Sequence, residues 1–571
     1  MTTADDILGE EVVAKIQDIL RTCSIHRASV SFRTKAHPSN TNRDRTLTWE
    51  TQGAALHTSL VVSPTDGIFH IASITKILVA TATVHAIEVK ALASADDNPW
   101  SKFKKIGSRP IKKVYDQYKK PSDPDLPFLP RDPTVYEFIV HSKGLPSCND
   151  VLFAPDGAPL MNLQDVPRCL STLLQRVTNE EGLRRWTVYS NMNFAVIALV
   201  IEACWEGSLD NFMEETLFKP LSMHSTSIGS PSSSSMISNN RWTVDQDGKR
   251  QQVQTPAYRP SGAEAAALGA YSTIEDLNKF FLAIISASHN VTSDPMQGFH
   301  RTIDTMLRIE NKSIQDVMHF TPFGLETTLG GSSIGLLSTN GLQFREEAFT
   351  RYPVIPDGPG HDCSIYYMAG SAVGCSCATA LRIDTEDDFV LTVLTDTSGP
   401  VAVADHILRM ILRRYVDLQQ QKLLSRLRSL QRDSVRKMIA QTNERVAKNW
   451  EGKKRDDQRI REIAHPEPFD IQGTYDEVGF PQRLHVVKQS DGKIYLSVSG
   501  ISTQAVSGNF EFLWKDDAHL WLCVPPHMSI DRLDNGDWAG LLFEAARGSS
   551  GLMELKRNRK DGVEYRYIRQ T

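Results

Sequence analysis

Residues Ile71 to Leu92 constrain this chain more than any other stretch. From Ile74 to Ile87 the side chains run Ile, Thr, Lys, Ile, Leu, Val, Ala, Thr, Ala, Thr, Val, His, Ala and Ile. A helix that is apolar on nearly every side belongs in the interior of a large protein, not on its surface. About 14 strongly apolar residues, closed by Glu88 and Lys90, fall short of the roughly 20 that a membrane span needs. At the start of this helix stands Ser73-Ile-Thr-Lys76. Residues three apart share a helix face, so the Ser73 hydroxyl and the Lys76 amine can meet. An unpartnered ammonium is costly to bury, and the positive end of the helix dipole disfavours it further while favouring a developing alkoxide. Both effects point to an activated nucleophile beside a neutral amine. The tetrad alone also recurs by chance in long chains. The buried helix gives it weight.

With 571 residues, 40% hydrophobic and 23% charged, the composition is that of a globular chain of two or three domains. A net charge of -5 gives no reason to expect a nucleic-acid partner or an anionic membrane surface. The opening residues Met1 to Glu11 are acidic and lack the basic and apolar regions of a secretory signal. The eight cysteines form no Cys-x-x-Cys pair, and Cys375-Ser-Cys377 has no second pair to complete a zinc site. Free buried thiols in a reducing, cytoplasmic setting are expected. Asn290-Val-Thr292 and Asn311-Lys-Ser313 match the glycosylation pattern but mean little without a signal.

Taken in order, residues 5–22 predict a surface helix with Ile7, Val12, Val13, Ile16, Ile19 and Leu20 inward. Ala28 to Arg33 and Thr46 to Thr51 read as neighbouring strands. Two such strands before the buried helix predict an α+β body with an antiparallel sheet. Lys102 to Lys120 reads as a basic, loop-rich, solvated face. Thr134 and Glu137 form a capping box for a short helix ended by Gly144 and Pro146. His141 beyond it is either catalytic or a hydrogen-bonded structural histidine. Tyr189-Ser-Asn191 stands at the entrance to an apolar helix, where a loop can aim a phenol and an amide into a cleft. Leu209 to Leu221 reads as a helix, and Ser272 or Thr273 as the cap of another. Gly331-Ser-Ser-Ile-Gly335 matches a nucleophile elbow but lacks the strand before it and the helix after it, so it is a decoy.

Tyr366 to Gly374, Cys375 to Ile383 and Phe389 to Asp396 read as consecutive antiparallel strands, and Val403 to Val416 as an amphipathic helix covering them. The composition then shifts. Residues 419–465 are rich in Arg, Lys, Gln and Glu and read as a helical linker. Beyond Pro466, short strands alternate with turns: Leu484 to Lys488, Ile494 to Ser499, Phe510 to Trp514, Leu520 to Val524, Trp538 to Glu544 and Tyr565 to Ile568. That pattern predicts a small all-β barrel or sandwich. The expected division is 1–418, 419–465 and 466–571.

Together these stretches resemble the serine β-lactamase and penicillin-binding-protein superfamily, whose Ser-x-x-Lys motif matches Ser73-Ile-Thr-Lys76. Its Tyr-x-Asn motif matches Tyr189-Ser-Asn191, its His-Thr-Ser-Gly-Leu-Pro segment looks like His141-Ser-Lys-Gly-Leu-Pro146, and its Ser-Thr-x-x-Asp-Leu segment matches Ser272 to Leu277. The class C β-lactamase-like branch, which also holds D-aminopeptidases, carboxylesterases and transesterases of secondary metabolism, is the most similar. The resemblance spans roughly residues 5–416 and implies an antiparallel sheet flanked by helices with an all-helical subdomain. The β-rich tail resembles the lipocalin-like barrel appended to some members.

The third motif departs from the pattern. Where the family carries Lys-Thr-Gly or His-x-Gly, this chain has Met368-Ala-Gly370. Gly370 would let substrate approach the backbone, and by analogy the N–H groups of Ser73 and Ser371 would form the oxyanion hole. The missing cation or imidazole disfavours penicillin hydrolysis and favours a neutral ester, thioester or amide. The resemblance implies acyl transfer through an acyl-enzyme on Ser73, with Lys76 and Tyr189 sharing general-base work and Asn191 orienting Lys76. Asn191, Met368, Gly370 and Ser371 would meet a small-molecule acyl substrate. No metal or organic cofactor is implied. A homo-oligomer is left open, with the barrel as packing or oligomer contact or with one of its loops narrowing the cleft. The alternatives are a D-aminopeptidase or β-lactamase-type amidase and, from another class, a non-catalytic scaffold or binding protein of the same fold.

Overall fold

A computed structural model of the chain describes residues 7–34, 45–50, 67–93, 98–129, 132–142, 145–146, 148–176, 189–229, 241–244, 248–253, 258–289, 296–309, 319–328, 334–335, 337–338, 340, 364–383, 388–399, 401–419, 455–462, 469–501, 506–523, 542–549, 552–558 and 564–570.

Among the described residues, the main sheet has seven strands: β1 (Arg27–Thr34), β2 (Arg45–Glu50), β3 (His319–Thr321), β4 (Gly324–Thr328), β5 (Ser364–Ala372), β6 (Cys375–Arg382) and β7 (Phe389–Thr395). They run in the order β2-β1-β7-β6-β5-β4-β3, with every pairing antiparallel. Apolar residues of β1 pair with those of β7, as at Val30↔Val393 and Phe32↔Leu391, the kind of cross-strand pair that stabilises a sheet. Every position of β6 and β7 is buried, which requires cover on both faces.

Eight strands of the C-terminal region close a barrel: β8 (Gly473–Glu477), β9 (Gln482–Lys488), β10 (Ile494–Gly500), β11 (Phe510–Trp514), β12 (His519–Cys523), β13 (Leu542–Arg547), β14 (Met553–Asn558) and β15 (Glu564–Arg569). Each pairs with its neighbour in sequence, and β15 returns to β8 at Tyr475↔Arg569. Alternate residues such as Leu484, Val486, Leu496, Val498, Phe510 and Phe512 fill the interior. The sequence reading found six of the eight strands. β8 and β14 escaped it because Asp476, Glu477, Glu554, Lys556 and Arg557 mask their period-2 pattern. Val524 and residues 538–541, assigned above to strands, lie outside the described residues, as does 420–454 of the expected linker.

The helices that bear on the site are α1 (Glu10–Thr22), α2 (Thr75–His85), α3 (Asn149–Leu152), α4 (Asn191–Trp205), α5 (Ala265–Leu268), α6 (Ile274–Ser288), α7 (Phe299–Arg308) and α8 (Val403–Gln419), and further helices include Ile111–Tyr118 and Val166–Arg176. α6 packs on β1 and β7, and α8 on β6, β7 and α1. α1 buries Val12, Val13, Ile16, Ile19 and Leu20. Thr273 caps α6 by accepting from the Asp276 N–H at 3.2 Å, while Ser272 lies in the preceding short strand.

Several expectations are corrected. Within Lys102 to Lys120, Ile111–Tyr118 is a helix that buries Ile111, Val114 and Tyr115 at i, i+3, i+4 and turns its lysines outward. The Thr134–Glu137 capping box is present, but its helix ends at Ile139, before His141 at φ 53°, and Gly144 lies outside the described residues. The helix expected over Leu209 to Leu221 is regular only to Met213 and then widens over Glu214–Phe218. Of the decoy elbow, Gly331 to Ser333 lie outside the described residues and Gly335 has φ 90°. The apolar helix itself has the extent expected of it. Helical structure is continuous over Ala72–Ala93, 22 residues and apolar enough to cross a membrane, yet 94% of its most apolar 18-residue window is buried inside the protein. Its apolarity serves the core.

Candidate active site

Ser73 sits in a single tight turn, Ala72–Ile74, at the head of α2. This turn is held from three sides. The Ile71 N–H donates to the Ala270 carbonyl at 3.1 Å, the Ala270 N–H donates to Thr75 Oγ1 at 3.1 Å, and the turn packs on β5 and β6. Ala72 has φ 39°, a left-handed conformation that costs a non-glycine residue about 1–3 kcal/mol and persists only where its surroundings over-determine it. Behind the turn, Ile74, Ile77, Leu78 and Val79 are at most 1% exposed, so α2 is a rigid mount for the first-turn groups.

Lys76 is 2% exposed. Its Nζ lies 3.1 Å from Ser73 Oγ, 2.8 Å from Asn191 Oδ1 and 2.7 Å from the Ala267 carbonyl. Burial holds the amine well below the ordinary lysine range, with the nearby Cys377 thiol acting weakly in the other direction. A neutral amine has two N–H donors and one lone pair. The two carbonyl oxygens, which can only accept, take the two donors. The lone pair is then left for the hydroxyl proton of Ser73.

Tyr189 precedes α4, and its hydroxyl donates to Ser73 Oγ at 2.7 Å. Burial raises the phenol above its usual range, so it remains a donor at neutral pH. His141 lies beneath it, with ring centroids 4.7 Å apart, and its Nδ1 accepts from the Ser190 N–H at 3.3 Å and faces Asn193 Nδ2 at 3.1 Å. Burial is the main cause that lowers this imidazole to about 3. It is a neutral, hydrogen-bonded residue that supports the Tyr189 loop.

Asn191, the first residue of α4, is 8% exposed; its Oδ1 accepts from Lys76 and its Nδ2 donates to Asn149 Oδ1 at 2.8 Å. Gly370 on β5 faces the nucleophile turn. A Cβ there would fall 2.7 Å from the Ser73 N and 2.8 Å from Cys377 Sγ. Met368, two residues earlier, lies on the same face by the pleat and is 3% exposed. Ser371 is exposed. Gly370→Ala therefore pushes β5 away from Ser73, and the rate at which a fluorophosphonate phosphonylates that serine is expected to fall about 100-fold, the loss of one donor to a developing oxyanion. Rates and circular dichroism of the purified variant check this.

The structure thus brings Ser73, Lys76, Tyr189 and Asn191 into direct contact, with Gly370 against the nucleophile. The sequence reading missed Asn149, the Ala267 carbonyl and Phe320, whose ring lies 5.9 Å from that of Tyr189. No spacing in the sequence marks the first two, because they act through contacts 42 and 191 residues away.

The β-lactamase family model matches residues 49–412, a span that holds all these groups. No curated protein matches the chain. Among solved structures, the octameric penicillin-binding protein homologue from Pyrococcus abyssi aligns over 98% of this chain and 99% of that one, at 14% identity and a TM-score of 0.48. The family match takes in well over half of the 571 residues, in agreement with a serine, lysine and tyrosine clustered between a helix and an antiparallel sheet. This chain belongs to the β-lactamase family.

Proposed function

We propose that the protein is a serine hydrolase or acyltransferase of the esterase-like, class C-related kind, acting on a neutral ester, thioester or amide through an acyl-enzyme on Ser73. The observation that carries this reading is that Lys76 Nζ and Tyr189 Oη both lie within hydrogen-bond reach of Ser73 Oγ, at 3.1 and 2.7 Å. Two bases of unequal strength divide the proton work. Lys76, neutral by burial, takes the Ser73 proton as Oγ attacks the carbonyl carbon. Tyr189 donates to the same oxygen, stabilises negative charge on it, and passes a proton towards the leaving oxygen or nitrogen. The N–H groups of Ser73 and Ser371 would receive the carbonyl oxygen as it becomes anionic. Water, or a bound alcohol or amine, then attacks the acyl carbon and gives its proton to the Tyr189 phenolate, while the Lys76 ammonium returns a proton to Ser73 Oγ as the acyl bond breaks.

Met368 supports the choice of a neutral substrate, since a buried thioether offers no counter-charge to a carboxylate. The expected location is the cytoplasm. The test is labelling by a fluorophosphonate probe, followed by peptide mass spectrometry. A single adduct on Ser73, protected by an acyl substrate, is the expected result. An unlabelled Ser73 in folded protein would favour the non-catalytic scaffold instead.

A further inference from the structure

One turn of helix, α3 (Asn149–Leu152), lies between the barrel and the catalytic centre and touches both. On the barrel side, Asp150 is fully buried, and its Oδ2 accepts from Arg557 Nη2 at 2.5 Å. Its backbone carbonyl accepts from Gln482 Nε2, and Gln482 Oε1 accepts in turn from the Tyr567 hydroxyl at 3.0 Å. Arg557 is 1% exposed and lies 4.1 Å above the Tyr565 ring. It follows Met553 and Leu555 on the inward face of β14, so Asp150 enters the end of the barrel. On the catalytic side, the preceding residue, Asn149, accepts from Asn191 Nδ2, and Asn191 Oδ1 accepts from Lys76.

A four-residue helix has too few internal bonds to hold its own shape. Stability alone does not explain why an arginine and an aspartate are withdrawn from water to secure it, because a well-packed apolar pair would serve as well. What a buried, directional ion pair adds is one fixed position. We propose that the C-terminal barrel positions the amine of Lys76 across the domain boundary: Arg557 fixes Asp150, and the adjoining Asn149 fixes the Asn191 amide to which Lys76 donates. Arg557, Asp150 and Asn149 are positioning residues, as none of them touches the reacting atoms. The inference rests on the proposed function only in taking Lys76 as the base.

The amine is faced by the Tyr189 phenol and the Asn191 amide from α4 and its approach, by the Ser73 hydroxyl, by the Cys377 thiol of β6 and more distantly by the His141 imidazole. Burial is the main reason it sheds its proton early. Release of α3 frees the Asn191 amide, admits water, and returns the amine towards ordinary lysine behaviour. The test is trace acetylation of the full chain with acetic anhydride over a pH series, reading the Lys76 peptide by mass spectrometry. This measures the titration of the amine whether or not Ser73 reacts. In Arg557→Met the Lys76 midpoint should move up by about one pH unit, a tenfold change in proton affinity, and the acid limb of esterase rate should move with it. Arg557→Lys, which keeps the charge against Asp150, should restore most of the shift. Asn149→Leu leaves the Arg557–Asp150 pair in place and should reproduce the shift from the catalytic side. An unmoved midpoint in Arg557→Met and Asn149→Leu, with only a loss of thermal stability, would overturn the proposal and reduce the barrel to packing. Failure of the serine reading shows separately, as no fluorophosphonate adduct on Ser73 in the unaltered chain.

Discussion

Ser73→Ala should lower turnover of p-nitrophenyl esters by on the order of a thousandfold or more, with no change in thermal unfolding beyond a few degrees. The size follows from the geometry. Ser73 Oγ is the one atom to which both the Lys76 amine and the Tyr189 hydroxyl converge, at 3.1 and 2.7 Å, and its loss leaves each of them without a reacting partner. Groups that act as a unit lose nearly all their effect when one is removed. What survives is binding and the oxyanion donors, which are backbone atoms that alanine keeps. Initial rates over acetyl to hexanoyl esters, together with intact-mass detection of an acyl adduct in the unaltered chain, check the expectation. Rates that stay within tenfold would place the nucleophile elsewhere and sink the mechanism.

Lys76→Met should cost about 100- to 10,000-fold in acylation, the usual range for a positioned general base. It should also alter how stability depends on pH, which a purely catalytic loss would not. The folded amine loses its proton well below the ordinary lysine value of 10.5, chiefly by burial. Between that lowered value and 10.5 the unfolded chain therefore binds one more proton than the folded chain. Stability rises with pH wherever the unfolded state binds more protons. The unaltered protein gains about 1.4 kcal/mol per pH unit from this one group across the window. Methionine has no proton to exchange, so the slope flattens by that amount. Urea unfolding at several pH values above neutrality, for both proteins, measures the difference. Equal slopes would mean that the folded lysine is charged, and the base would have to be Tyr189.

Much of this site was legible before any coordinates. The Ser73 hydroxyl and Lys76 amine meet because three residues on a helix fix them, and that is local chemistry. The Thr134–Glu137 capping box and the α1 core face are local for the same reason. Tyr189 and Asn191 were legible through their motif, not through physics, since nothing within their own segment says what lies opposite. Asn149 and Ala267 show where sequence reasoning stops. Asn149 looks like a loop asparagine, and Ala267 contributes only a carbonyl, which every residue possesses. Strands β8 and β14 were hidden because a barrel turns one face to water, and charges such as Lys556 on that face break the hydrophobic run. The extent of the Ala72–Ala93 helix was legible as the run from Ile71 to about Leu92, in which Glu88 and Lys90 are the charged residues. Both are accommodated where the helix widens at Ala86–Lys90.

That helix has a consequence for biosynthesis. The segments packed against it or its opening turn, Glu214–Phe218, Ala265–Leu268, Phe299–Arg308 and Ser364–Ala372, all follow it in the chain. At roughly 5–20 residues per second of translation, they leave the ribosome from several seconds to about a minute after it does. For that interval the growing polypeptide displays a greasy rod that a signal-recognition factor or a chaperone can seize. The helix that mounts Ser73 in the finished protein is, during synthesis, part of its most adhesive surface.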